Sequence, residues 1–142
     1  MMMKKEKAFG DIMYSCISSA LGNDECIIDT IIDKFLDELD RQTTNDQDLA
    51  CKVAGADVIG FTVIETACMG AHTGWDFDCI YSGKVSNIVE PNFNSSRCPH
   101  RMVEFLTPIM MKYLKNEKGY KVGTINDTQS DLNGAIIVYR EN

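Results

Sequence analysis

Apolar residues recur at three- and four-residue steps in the first third of the chain, which is the spacing of amphipathic helices. The first stripe predicts a helix over residues 9–21 and consists of Phe9, Ile12, Met13, Cys16, Ile17, Ala20 and Leu21. The second predicts a helix over residues 24–41 and consists of Ile28, Ile31, Ile32, Phe35, Leu36 and Leu39. Because only a short link containing Gly22 separates them, we predict an antiparallel αα-hairpin.

The pattern becomes less regular after residue 41. Residues 42–48 are polar and are predicted to form a loop, in which Asn45 or Asp46 caps a further short helix over residues 49–54. Residues 58–66 are β-branched and aromatic, which favours a buried strand. A continuous buried helix over residues 49–69 is the alternative, although Gly55 and Gly60 weigh against it.

Period-two alternation follows a turn-like segment at residues 70–74. Phe77, Cys79 and Tyr81 alternate with Asp76, Asp78 and Ile80, as a half-exposed strand requires. Ser82-Gly83 predicts a two-residue hairpin turn, with residues 85–89 as the returning strand.

The last third of the chain predicts a loop, a helix and two strands. The loop covers residues 91–96, and the helix after it has an apolar face that continues to Leu114. Pro108 should kink this helix, or split it with Thr107 as a new cap, and Gly119 should end it. Residues 120–125 and 135–139 predict the closing strands.

The order of these elements predicts the class of fold. Strands joined by hairpins imply an antiparallel sheet, so we predict an α+β domain with an N-terminal αα-hairpin, four or five strands and a further helix packed on one face. The length of 142 residues predicts one domain covering residues 1–142, without a linker.

Charge and cysteine content narrow the functional classes. The net charge of −7 opposes direct binding to nucleic acids and to anionic membranes, and it is compatible with a basic protein partner or with imitation of a nucleic acid. No apolar run of signal length follows the charged first residues, which predicts a cytoplasmic protein with reduced thiols. The cysteines are Cys16, Cys26, Cys51, Cys68, Cys79 and Cys98.

Candidate chemistry is sparse, and we predict no cofactor. The residue types suit a zinc site formed by Cys68, His72, Cys98 and His100, but the spacing is poor because Cys98 and His100 are only two residues apart. Core packing of Cys68 and exposure of both histidines is the commoner explanation for the same pattern.

Two further kinds of chemistry involve the same part of the chain. Asp76 and Asp78, with Asp127 or Asp131, have the ligand type of a hard-cation site, although a solvated strand face is commoner. Cys98 near a helix N-terminus has the setting of a reactive thiolate. A small metal-dependent or cysteine enzyme, or a protein that binds and sequesters a small molecule, is therefore the alternative function. Its pocket would be formed by His72, Trp75, Asp76, Asp78, Cys98 and His100.

An acidic row along the second predicted helix is the most unusual feature. Its members follow one another at helical spacing and are Glu25, Asp29, Asp33, Asp37 and Asp40. Like charges at this spacing destabilise a helix, so the row suggests a use such as docking a basic partner or mimicking phosphates. A solvated face of an acidic protein is the commoner explanation. We therefore predict a small acidic modulator or inhibitor that acts through protein contacts and can form a homodimer. Small accessory proteins of phages and mobile elements often have this character.

Overall fold

The computed structural model describes residues 24–67, 73–94 and 108–142, and within them the side chains of residues 28–64, 76–94 and 110–142. This part of the chain is an antiparallel five-stranded sheet with helices, so the predicted α+β class is confirmed. The helix predicted over residues 9–21, which is the first helix of the predicted αα-hairpin, lies outside the described residues. The second helix of the hairpin is described.

The helix α1, Asp24–Asn45, carries the predicted apolar stripe. Ile28, Ile31 and Phe35 are buried against the sheet, as their spacing indicates. The loop predicted over residues 42–48 is wrong except at Asp46, because α1 continues to Asn45 and the next helix begins at Gln47. In the last turn of α1, the Thr43 hydroxyl donates to the Leu39 carbonyl at 2.7 Å.

A short second helix, α2, follows as Gln47–Ala54. Asp46 caps it, since the Asp46 carboxylate accepts the Leu49 N–H at 3.1 Å. The prediction of a helix over residues 49–54 with Asp46 as a candidate cap is therefore confirmed. Gly55 ends α2, and its N–H donates to the Cys51 carbonyl at 3.1 Å.

The strands form one sheet in the order β2-β1-β5-β4-β3, and every neighbouring pair is antiparallel. Their bounds are Val58–Ala67 for β1, Thr73–Gly83 for β2, Ile88–Val89 for β3, Lys121–Ile125 for β4 and Ile136–Glu141 for β5. The strand interpretation of residues 58–66 is therefore confirmed over the helical alternative, and β1 and β5 lie in the interior of the sheet.

The hairpin turn predicted at Ser82-Gly83 is wrong. Both residues belong to β2, and Gly83 pairs with Val58. A two-residue turn of the favoured type needs positive φ, and among the described residues only Gly119 and Gly134 have it. The chain instead makes a 3-10 turn, Val85–Asn87, and reaches the opposite edge of the sheet, where β3 pairs with β4.

The regular alternation predicted for β2 is interrupted by a bulge. Asp78 and Cys79 together oppose the single residue Thr62 of β1, which shifts the register between Phe61 and Val63. As a result, Phe77 and Ile80 both pack towards the helices, although they are three residues apart in the strand.

Within the described residues, a third helix, α3, spans Pro108–Tyr113. A π-helical turn, Leu114–Lys118, continues α3, and Gly119 at φ 72° ends it as predicted. Thr107, the predicted cap, lies outside the described residues.

The sheet carries a hydrophobic cluster on each face. The cluster on the helix side contains Phe35 of α1 and Phe61 of β1, whose rings are 4.9 Å apart, and Met110 and Leu114 join it from α3 and the π-helical turn. The smaller cluster on the other face consists of Val58, Tyr81, Ile125, Ala135 and Ile137. Leu132, in the loop between β4 and β5, packs on this second cluster.

Candidate functional site

The acidic row lies along α1, and its members differ in how they are engaged. Asp33, Asp37 and Asp40 are exposed on the side of the helix opposite its buried stripe. We call these three residues the acidic face. Glu25 lies in the first turn of α1, and its side chain is not described.

Asp29 differs from the acidic face because it binds another part of the same chain. Its Oδ1 accepts the Tyr113 hydroxyl at 3.0 Å and lies 3.0 Å from the Lys118 Nζ. Desolvation and the hydrogen bond to Asp29 raise the pKa of Tyr113, and the bond to Asp29 raises the pKa of Lys118. Asp29 therefore ties α1 to α3 and the π-helical turn.

The two basic residues of α1 are held by carboxylates outside the acidic face. Lys34 Nζ lies 2.6 Å from Asp76 of β2. Arg41 pairs with Glu38, and this bond, with one from Gln42, lowers the pKa of Glu38 to about 2. Among the described residues, no side-chain hydrogen bond or salt bridge reaches the carboxylates of the acidic face.

α1 concentrates the negative charge of the molecule. Its 22 residues carry seven carboxylates against one Lys and one Arg, a net charge of −5 out of −7 for the whole chain. Such a concentration produces a negative potential that extends beyond direct contact distance. The face is therefore chemically suited to attract cationic groups.

An exposed leucine borders the acidic face. Leu36 is 39% exposed and lies three residues after Asp33 and four before Asp40, which places it next to both on the helix surface. A single exposed leucine is ordinary on a protein surface. Its position beside Asp33 and Asp40 nevertheless adds an apolar contact to a polar surface.

The alternative pocket is described only in part. Cys68, His72, Cys98 and His100 lie outside the described residues, and Trp75 lies in β2 with its side chain not described. The zinc and cysteine hypotheses therefore stay predictions.

The two aspartates of this pocket have different partners. Asp76 binds Lys34, whereas Asp78 Oδ2 is 3.4 Å from the Thr62 hydroxyl. Asp127, the further candidate, accepts the Gln129 N–H within its own loop at 3.1 Å. Over the described ranges, no three Asp, Glu, His or Cys side chains come together in a way that could hold a metal ion.

Sequence reasoning missed the contacts that depend on tertiary structure. Tyr113 and Asp29 are 84 positions apart, and no local pattern links them. The Thr62 hydroxyl, which accepts the Cys79 N–H at 3.2 Å, likewise follows from the bulge and not from spacing. The row itself was visible because helical spacing alone places its members on one side.

No protein-family model, curated protein or solved structure matches this chain. In the part of the chain that is described, none of the helices has the length and apolar character needed to cross a membrane.

Proposed function

We propose that this protein is a small acidic binding protein that modulates or inhibits a protein partner, and that the acidic face of α1 docks a basic surface of that partner. The observation that carries the proposal is the contrast within the row. Asp29 forms an ion pair with Lys118 of the same chain. Asp33, Asp37 and Asp40 are exposed and have no described cationic partner.

Repulsion between the carboxylates of the acidic face destabilises α1, and this cost supports a function for the face. Asp33 and Asp37 are four residues apart and Asp37 and Asp40 are three apart, so their repulsion destabilises α1 by roughly 0.2–0.5 kcal/mol per pair. The helix tolerates this because its other side is buried through Phe35 and its neighbours. A rigid, packed helix presents its carboxylates in a fixed arrangement, which reduces the ordering cost of association.

The chemistry of the face defines the partner. Exposed carboxylates steer Lys- and Arg-rich surfaces and accelerate encounter at low salt, but they contribute little affinity by themselves. Leu36, at the border of the acidic face, adds an apolar contact. The partner surface should therefore combine basic residues with an apolar side chain.

The test is an affinity capture with a charge-reversed variant. The tagged chain and the triple variant Asp33→Lys, Asp37→Lys, Asp40→Lys are used to capture proteins from a lysate of the source organism, and mass spectrometry measures stoichiometry. A matched control reverses three exposed carboxylates elsewhere, Glu90→Lys, Glu117→Lys and Asp131→Lys. Circular dichroism confirms that all three proteins are folded.

The two variants distinguish binding by the acidic face from binding by the overall negative charge. We expect one stoichiometric partner that the wild type and the control retain, that the acidic-face variant loses, and that high salt releases. Equal capture by both variants would contradict the docking face. Equal loss from both would assign binding to net charge alone, and the absence of any stoichiometric partner would remove the proposed function.

A further inference from the structure

We draw no further inference here: the strongest candidate, the buried Tyr81 hydroxyl on the face of the sheet covered by the loop between β4 and β5, has no hydrogen-bond partner of normal geometry and lies near Asn87 and Asp127, but nothing in the described part of the chain shows what would reach a group that is sealed from solvent.

Discussion

At the scale of single residues, one hydroxyl holds the irregular point of the sheet. Thr62 is buried opposite the bulge in β2, and its hydroxyl accepts the Cys79 N–H and lies 3.4 Å from the Asp78 carboxylate. A bulge leaves one backbone group outside the regular ladder, and that group needs another partner. Thr62 supplies the partner from the neighbouring strand.

Replacing this hydroxyl should therefore destabilise the protein. Thr62→Val keeps the shape of the side chain but removes the oxygen that accepts the Cys79 N–H, so we expect a loss of about 1–2 kcal/mol in the free energy of unfolding by urea. Thr44→Val makes the same chemical change at an exposed position of α1 and should be nearly neutral. Equal stability of the two variants would mean that the hydroxyl does not support the bulge.

Glu38 gives the protein a pH-dependent contribution to stability. Its bonds to Arg41 and Gln42 lower its pKa from 4.5 to about 2 in the folded state. The contribution is therefore fully present above pH 4.5 and is lost as the pH falls through about 2. Because the pair is exposed, the effect should be small.

The corresponding variant is Glu38→Gln. We expect its melting temperature to lie below that of the wild type at pH 7, and the difference to close as the pH falls from 4.5 to 2. Glu90→Gln changes an exposed carboxylate in the bend after β3 and serves as the comparison. Its difference in melting temperature from the wild type should not shrink in this way as the pH falls. A constant gap between Glu38→Gln and the wild type over the same range would contradict the assignment.

At the scale of elements, the pairing of β1 with β5 leaves no room for a side chain at Gly60. A Cβ at Gly60 would lie 2.6 Å from the Tyr139 Cβ and closer still to the Val138 carbonyl oxygen. These neighbours belong to an interior strand and cannot easily move away. Gly60 therefore permits the pairing of β1 with the central strand β5.

Gly60→Ala should consequently force the strands apart and cost at least about 2 kcal/mol of unfolding free energy. Gly55→Ala provides a matched control, because its nearest neighbour would lie 3.6 Å away and its φ of −92° suits alanine. We expect the control to be neutral or to stabilise by up to about 1 kcal/mol. Urea denaturation of both variants measures the difference, and a tolerated Gly60→Ala would disprove the close packing.

Sequence patterns predict elements well where the signal is local and repeated. The stripe of α1 and the β-branched run of β1 are such signals, and both elements form, although α1 ends four residues later than predicted. Ser82-Gly83 resembles a hairpin turn locally, but pairing of Gly83 with Val58 extends β2 through it. Non-local pairing is absent from the local pattern, which is why the strand order could not be predicted.

At the scale of the whole molecule, charge is distributed unevenly, and we expect this distribution to lower the free energy of unfolding. α1 carries a net charge of −5, and the acidic face lies on its exposed side. Repulsion between exposed carboxylates is screened by salt, with a Debye length of about 10 Å at 0.1 M. The free energy of unfolding should therefore depend on salt concentration, because salt screens the repulsion within the acidic face.

We expect the triple variant Asp33→Asn, Asp37→Asn, Asp40→Asn to be more stable than the wild type at low salt, by roughly 0.2–0.5 kcal/mol per removed pair. Asparagine and aspartate have similar helix propensities, so the change reports mainly on charge. Urea denaturation at 20 mM and 500 mM NaCl should show the difference shrinking with salt. No difference at low salt would mean that the face is not under electrostatic strain.

From the sequence, the candidate site could be predicted only as a row of carboxylates on one side of a helix. Spacing places Asp29 and Asp33 in one row, but it does not reveal that Tyr113 and Lys118 engage Asp29. The acidic face therefore contains three members of the predicted row of five. The zinc and pocket hypotheses depend on residues outside the described part and remain predictions.

The strand order also has a consequence for how the polypeptide is made. β5 follows the other four strands in sequence, yet it is inserted between β1 and β4. During synthesis, β1 and β4 emerge from the ribosome before the strand that joins them, and each exposes an edge that can pair with other chains. The order of synthesis therefore leaves a period of vulnerability to aggregation, which ends only when β5 enters the middle of the sheet.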